Sequence, residues 1–155
     1  MSATVLTIST EPSYRVYCKD CPDYNIAVGV GMAILAPTNK NDYRQYWYKK
    51  DSDEMDTWGF PAFSLVNRAT GQTLQHSFDH PIPVRLVYNP SDLDRSVLWA
   101  QAEDRGEGFK AIRSLDCKSH LEACALYIYS YHGAIIIGGV WDEGKNQLWK
   151  IEPHS

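Results

Sequence analysis

The chain has 155 residues, 44% of them hydrophobic and 22% charged, with a formal net charge of −4. That is the balance of one globular domain able to bury roughly two-thirds of its unfolded surface. Lys and Arg are scattered, Tyr48-Lys49-Lys50 being the densest cluster, so the basic stripe of a nucleic-acid partner is missing from the pattern.

Residues 1–12 read as a short tail. MSATVLTISTEPSYR has neither a basic start nor a long apolar run, which does not fit a secretory leader. No segment approaches the roughly 18 apolar residues of a membrane-spanning helix. Nucleus and cytoplasm are the expected location, with secretion or the vacuole as the alternative.

From residue 13 to 155 the pattern is that of one domain in three repeats, roughly 13–55, 60–105 and 107–153. The first repeat opens with the short β-type runs YRVYC and YNIAV around the turn-forming KDCPD, then MAILA and RQYWYK. Cys18-x-x-Cys21 lacks the second closely spaced pair of a zinc site, because Cys117 and Cys124 stand seven apart. The four thiols are therefore expected to be partly buried in strands, with a disulfide within or between chains as the alternative, and no metal or cofactor is expected. The acidic stretch DSDEMDTWGF, 51–60, reads as a solvated linker, with Trp58 an aromatic that the repeat leaves without a core position. The second repeat follows as AFSLVN, QTLQH, PVRLVY and SVLWAQ, with YNPSD a turn pinned by Pro90. The third runs FKAIRS, SHLEA, AIIIG and NQLWKI.

Trp47, Trp99 and Trp149 stand 52 and 50 residues apart, each expected to end a strand. Gln45, Val97 and Gln147 precede them by two positions; Ile34, Leu86 and Ile136 precede them by thirteen. Upstream, Tyr17 and Ile26, Leu65 and Leu74, and Ile112 and Leu121 are each nine apart. One four-strand unit cannot bury its own apolar face, but three can close a barrel and cap it with hairpins. The expected fold is all-β: a β-trefoil of three pseudo-repeats with four short strands each.

Gln-x-Trp near the end of a repeat resembles the mark of ricin-B-type trefoils. The segments YRVYCK, ILAP, QYWYK, GFPAFSLVNRATGQTLQHS, VRLVYNPSDLDRSVLW, GEGFKAIR and NQLWKIEP together resemble the Euonymus-lectin family of plant lectins over roughly residues 13–153. The resemblance implies a non-catalytic domain that binds galactosides, blood-group structures or high-mannose glycans. Three departures stand out. Glu122 occupies a position where the family usually carries Asp. Gly139 replaces the first of two Trp residues one apart, of which Trp141 is the second. The stretch ACALYIYSYHGAIII is more apolar than the family's usual polar loop.

A sugar has an apolar C–H face and a rim of hydroxyls, so its site needs an aromatic platform with a fixed carboxylate and amides. The third repeat offers Glu122 as carboxylate, Trp141 as an exposed platform, and Asn146 and Gln147 as amides. His132, beside Tyr131, lies in a glycine-containing loop. Gln147 doubles as a brace between hairpins, and Trp149 as core. Secondary candidates are Asp23, Asn39, Asp42 and Tyr43 in the first repeat and Gln75 in the second. The histidines show no metal-ligand spacing, no carboxylate pair is singled out for glycoside hydrolysis, and no glycine-rich phosphate loop is present, so the chain is not expected to be an enzyme. The alternative is a protein-interaction trefoil that has lost sugar binding, with ALYIYSYHGAIIIGG as its surface; the same run could form a homodimer.

Overall fold

The computed structural model describes residues 11–76, 82–124 and 133–154. Thirteen strands follow in chain order: β1 (Tyr14–Cys18), β2 (Tyr24–Val28), β3 (Ala33–Pro37) and β4 (Trp47–Met55); β5 (Pro61–Asn67), β6 (Gln72–Gln75), β7 (Ile82–Pro83), β8 (Arg85–Tyr88) and β9 (Trp99–Asp104); β10 (Lys110–Ser114), β11 (His120–Cys124), β12 (Ile135–Gly139) and β13 (Trp149–Pro153). No α-helix occurs among the described residues.

Six of these strands close a ring. β1 pairs with β4, β4 with β5, β5 with β9, β9 with β10, β10 with β13, and β13 with β1, all antiparallel. The hairpins β2–β3, β6–β8 and β11–β12 form the cap. They are stitched together through Ile135 opposite Ile34 and Ile137 opposite Pro83. A closed ring with a stitched cap leaves few of the open sheet edges that invite aggregation.

Three tryptophans organise the interior. Trp47, Trp99 and Trp149 are fully buried, and each indole N–H donates to a backbone carbonyl of its own repeat's cap hairpin. The acceptors are Ile26 at 2.9 Å, Leu74 at 3.1 Å and Leu121 at 2.7 Å. A buried indole thus keeps its polar hydrogen satisfied while its ring fills the core. Contrary to expectation, each Trp opens the last strand of its repeat. The residues before it, Tyr43–Gln45, Arg95–Val97 and Lys145–Gln147, form single 3-10 turns that swing the chain from cap to barrel.

Register corrects two of the sequence triples. Trp149 lies opposite Cys18, Trp47 opposite Asn67 and Trp99 opposite Ser114, which makes Val16, Leu65 and Ile112 the equivalent core residues. Tyr17 points elsewhere, meeting Phe109 edge-on at 5.8 Å beside Leu148. The β1–β2 turn of the first repeat is one residue longer than its counterparts, and this displaces the nine-residue spacing. Ile34 likewise is only half-buried while Leu35 is the core residue, because the connections from cap to barrel differ in length.

The acidic stretch is not a linker. Its first part continues β4, and the Asp56 side chain is completely buried. Asp56 accepts from the N–H groups of Trp58 at 2.8 Å and Phe60 at 3.0 Å, and from Arg113 of β10 at 3.0 and 3.1 Å. Burial alone would raise its pKa, but the backbone N–H groups and the guanidinium together hold it below the usual Asp range. Its contribution to stability is therefore present above the ordinary Asp pKa and is lost as pH falls through the lowered folded value.

Trp149→Ala removes both a core ring and a satisfied N–H, and is expected to lower stability by roughly 3–5 kcal/mol in denaturant melts. Asp56→Ala leaves Arg113 without its buried partner and is expected to lower stability by about 3–5 kcal/mol at neutral pH, with a smaller deficit in acid.

Candidate functional site

The three indole bonds superimpose the repeats chemically. The residue following each carbonyl acceptor is Ala27 in the first repeat, Gln75 in the second and Glu122 in the third. The residue two before each Trp is Gln45, Val97 and Gln147. A carboxylate and a carboxamide meet only in the third repeat.

There Gln147, fully buried, donates from Nε2 to Glu122 Oε1 at 2.7 Å and to the Val140 carbonyl at 2.7 Å, while its Oε1 accepts from the Asp142 N–H at 3.0 Å. Asn146 Nδ2 donates to the Ala123 carbonyl at 3.0 Å. One 3-10 turn therefore places two carboxamides across β11, one fixing a side chain and one fixing the backbone. Asp142, which the sequence reading passed over, joins this group through its N–H and accepts from the Gly144 N–H at 2.9 Å. Its signal was the Trp-Asp-x-Gly turn itself.

Glu122 is half-buried. Burial raises its pKa above the usual carboxylate range, the Gln147 amide opposes this, and the charge of Asp142 adds to it. A Cβ built on Gly139 would stand 2.5 Å from Glu122 Oε1 and 3.0 Å from its Cδ. The Glu122 carboxylate thus folds over the position where the resemblance places a first Trp. Two of the three departures are one physical arrangement.

Trp141 has other partners. It is half-buried, stacks on His120 at 5.1 Å, takes the Arg105 guanidinium at 5.5 Å and packs on the Tyr17–Phe109–Leu148 cluster. The cleft it lines with His120, Arg105 and Arg113 is about 60 Å³, well below the roughly 300–1,000 Å³ of a ligand pocket. His132 and Tyr131 lie outside the described residues. Of the apolar run they belong to, Ala134, Ile136 and Ile137 are core, and Ile135 is 37% exposed.

The secondary candidates divide. Asn39 and Asp42 share a cleft of about 680 Å³ with Thr38, Lys40 and Arg44. Asp42 caps the 3-10 turn, accepting from Arg44 N and Nε at 3.1 Å. Gln45, in the same wall, is engaged by Asn25, Asn39 and Pro37 at 2.7–3.0 Å. Asp23 uses its carbonyl to accept from Thr38 N at 2.9 Å and Oγ1 at 3.0 Å. Tyr43 lies under the Arg68 guanidinium at 3.9 Å. Gln75 donates to Ser96 Oγ at 2.7 Å in a separate cleft of about 640 Å³ shared with Asp94 and Asp116.

A carboxylate whose folded pKa is raised stabilises the protein most below its unfolded pKa, and that contribution is lost as pH rises through the folded value. Ionised Glu122 is thus a stability cost at neutral pH. Glu122→Gln, which keeps an oxygen for Gln147, is expected to raise Tm at pH 7, with the gain disappearing near pH 4; thermal melts at both values check this.

No family model matches the chain. Ricin B-like lectin R40G3 of Oryza sativa subsp. japonica is 41% identical over 157 residues, covering 96% of this chain and 76% of that protein. Ricin B-like lectin EULS3 of Arabidopsis thaliana is 39% identical over 153 residues, covering 90% of this chain, which spans 46% of the relative's length. Among solved structures, the Macrolepiota procera ricin B-like lectin in complex with lactose matches with a TM-score of 0.73 at 16% identity, covering 94% of this chain and 98% of that one, a likeness of fold. With 41% identity over three-quarters of a curated member, the chain belongs to the ricin B-like lectins of the Euonymus-lectin type.

Proposed function

We propose that this trefoil binds glycans reversibly and without catalysis, through the third repeat. The observation that carries the reading is the Glu122–Gln147 bond of 2.7 Å, the one place where the threefold pattern sets a carboxylate against a carboxamide. Gln147, wholly buried, acts as the positioning residue. The half-buried Glu122 and Asn146 present polar atoms to vicinal hydroxyls, where an epimer would leave a group unpaired. Holding an ionised carboxylate in a partly desolvated place at a cost to stability is how binding sites differ from inert surface.

A hydrolytic reading would need Glu122 as acid and Asp142 as base. Asp142 is instead engaged by the Gly144 N–H within its own turn, which favours binding over catalysis. Affinity per site is expected to be of the order of micromolar to millimolar, because sugar hydroxyls are already well solvated, with avidity supplied by further sites or by self-association.

A glycan array compares wild type with Glu122→Gln and Asn146→Ala. The expected result is a related set of wild-type signals that falls at least tenfold in both variants. Signals that survive in both would move the site to the first- or second-repeat cleft, and a blank array from folded wild type would overturn the lectin reading.

A further inference from the structure

The longer β1–β2 turn of the first repeat carries two cysteines. Cys18 closes β1 with its Cα opposite Trp149, and the Lys19 N–H still reaches the Leu148 carbonyl at 2.9 Å. The chain then folds back through Cys21 N–H to the Cys18 carbonyl at 3.3 Å and Tyr24 N–H to the Cys21 carbonyl at 3.1 Å. Arg15 pins the far side by donating to the Pro22 carbonyl at 2.5 Å. The outcome is two free thiols with Sγ atoms 3.0 Å apart, Cys18 wholly buried and Cys21 7% exposed. The positions equivalent to Cys18 in the other repeats, Asn67 and Ser114, carry no thiol, so neither of those repeats has such a pair. Cys117 is engaged elsewhere, with its Sγ 3.8 Å from Asp56 Oδ2.

We propose that Cys18 and Cys21 form a reversible dithiol–disulfide site, oxidised by exchange with a low-molecular-weight disulfide of the glutathione type. The Cys18 thiolate attacks one sulfur of that disulfide, cleaving its S–S bond, releasing one small thiolate and leaving a mixed disulfide on Cys18. Cys21 then gives its proton to solvent and attacks the Cys18 sulfur, forming the protein S–S bond and expelling the second small thiolate. Two protein thiols are oxidised and one small disulfide is reduced to two thiols.

The order of attack follows from the surroundings. The Cys21 thiol, joined by the backbone N–H groups of Cys21 and Asp20, holds the Cys18 pKa below the usual thiol range against the opposing effect of burial. The hydrogen bond to Cys18, with burial, pushes Cys21 up. Cys18 is therefore the nucleophile and Cys21 the resolving thiol. Asp20, Pro22 and Asp23 between and beside them are exposed, so the reagent approaches from this turn. It reaches the buried Cys18 when the turn and the Cys18–Trp149 end of β1 open locally, short of unfolding the barrel.

The test incubates the full chain with reduced and oxidised glutathione at graded ratios, alkylates free thiols and reads intact mass. Wild type is expected to fall from four labels to two without gaining glutathione mass, and peptide mapping is expected to place the bond between Cys18 and Cys21. The Cys117→Ser/Cys124→Ser double variant, which leaves the pair untouched, is expected to fall from two labels to none. Four labels retained at every ratio, glutathione adducts without an internal bond, or a bond mapped to Cys117 or Cys124 would overturn the proposal.

Discussion

Everything in this molecule hangs from three buried indole N–H groups. Each bonds to a carbonyl of the cap hairpin while its ring fills the barrel, so each joins the two layers of its repeat at one point. A ring that lost this bond would leave a donor stranded in the core, which is why shape alone does not explain the choice of Trp. The bond also sets geometry elsewhere. By fixing which residue follows the acceptor and which residue lies two before the indole, it decides that Glu122 and Gln147 meet, while Ala27 and Gln45, or Gln75 and Val97, do not form a carboxylate–amide pair.

The three repeats have diverged at those positions in opposite directions. The first keeps the buried amide, but its Nε2 donates to the Pro37 carbonyl and its Oε1 accepts from Asn25 and the Asn39 N–H, with no carboxylate among its partners. The second keeps a polar residue on the hairpin but buries Val97 where the amide would stand. The third keeps both, and it has also exchanged bulk for charge, because Gly139 opens the space into which the carboxylate folds. Change there is coupled: a larger residue at 139 has to displace Glu122 and with it the Gln147 contact.

Much of this was legible in the chain. Trp47, Trp99 and Trp149 with their near-equal spacing announced a threefold β fold, and the trefoil is what the structure shows. What failed was spacing to the single residue. Tyr17 and Ile34 fall into the repeat triples by spacing, yet the residues equivalent in the main core are Val16 and Leu35, because a turn one residue longer or shorter flips the faces of a strand. Asp56 was hidden for a different reason. An acidic run reads as solvent-facing, and nothing local reveals that Arg113, 57 residues on, waits to receive one member of it. Trp141 shows the same blindness: its position after a strand and before a turn suggested exposure, while His120, Arg105 and Phe109 arrive from elsewhere to cover it.

The barrel is closed by pairing β1 with β13, whose register runs from Tyr14 opposite Pro153 to Cys18 opposite Trp149. During synthesis, then, the first strand emerges more than a hundred residues before its permanent neighbour. Until β13 has emerged from the ribosome the ring stays open, with one unpaired edge on β1 and the Val16 face uncovered, so this seam forms only once the third repeat has been made. The same seam carries the Cys18 turn and the Gln147–Trp149 segment, so the cysteine-bearing end of β1 is the part of the nascent chain that waits longest for its support.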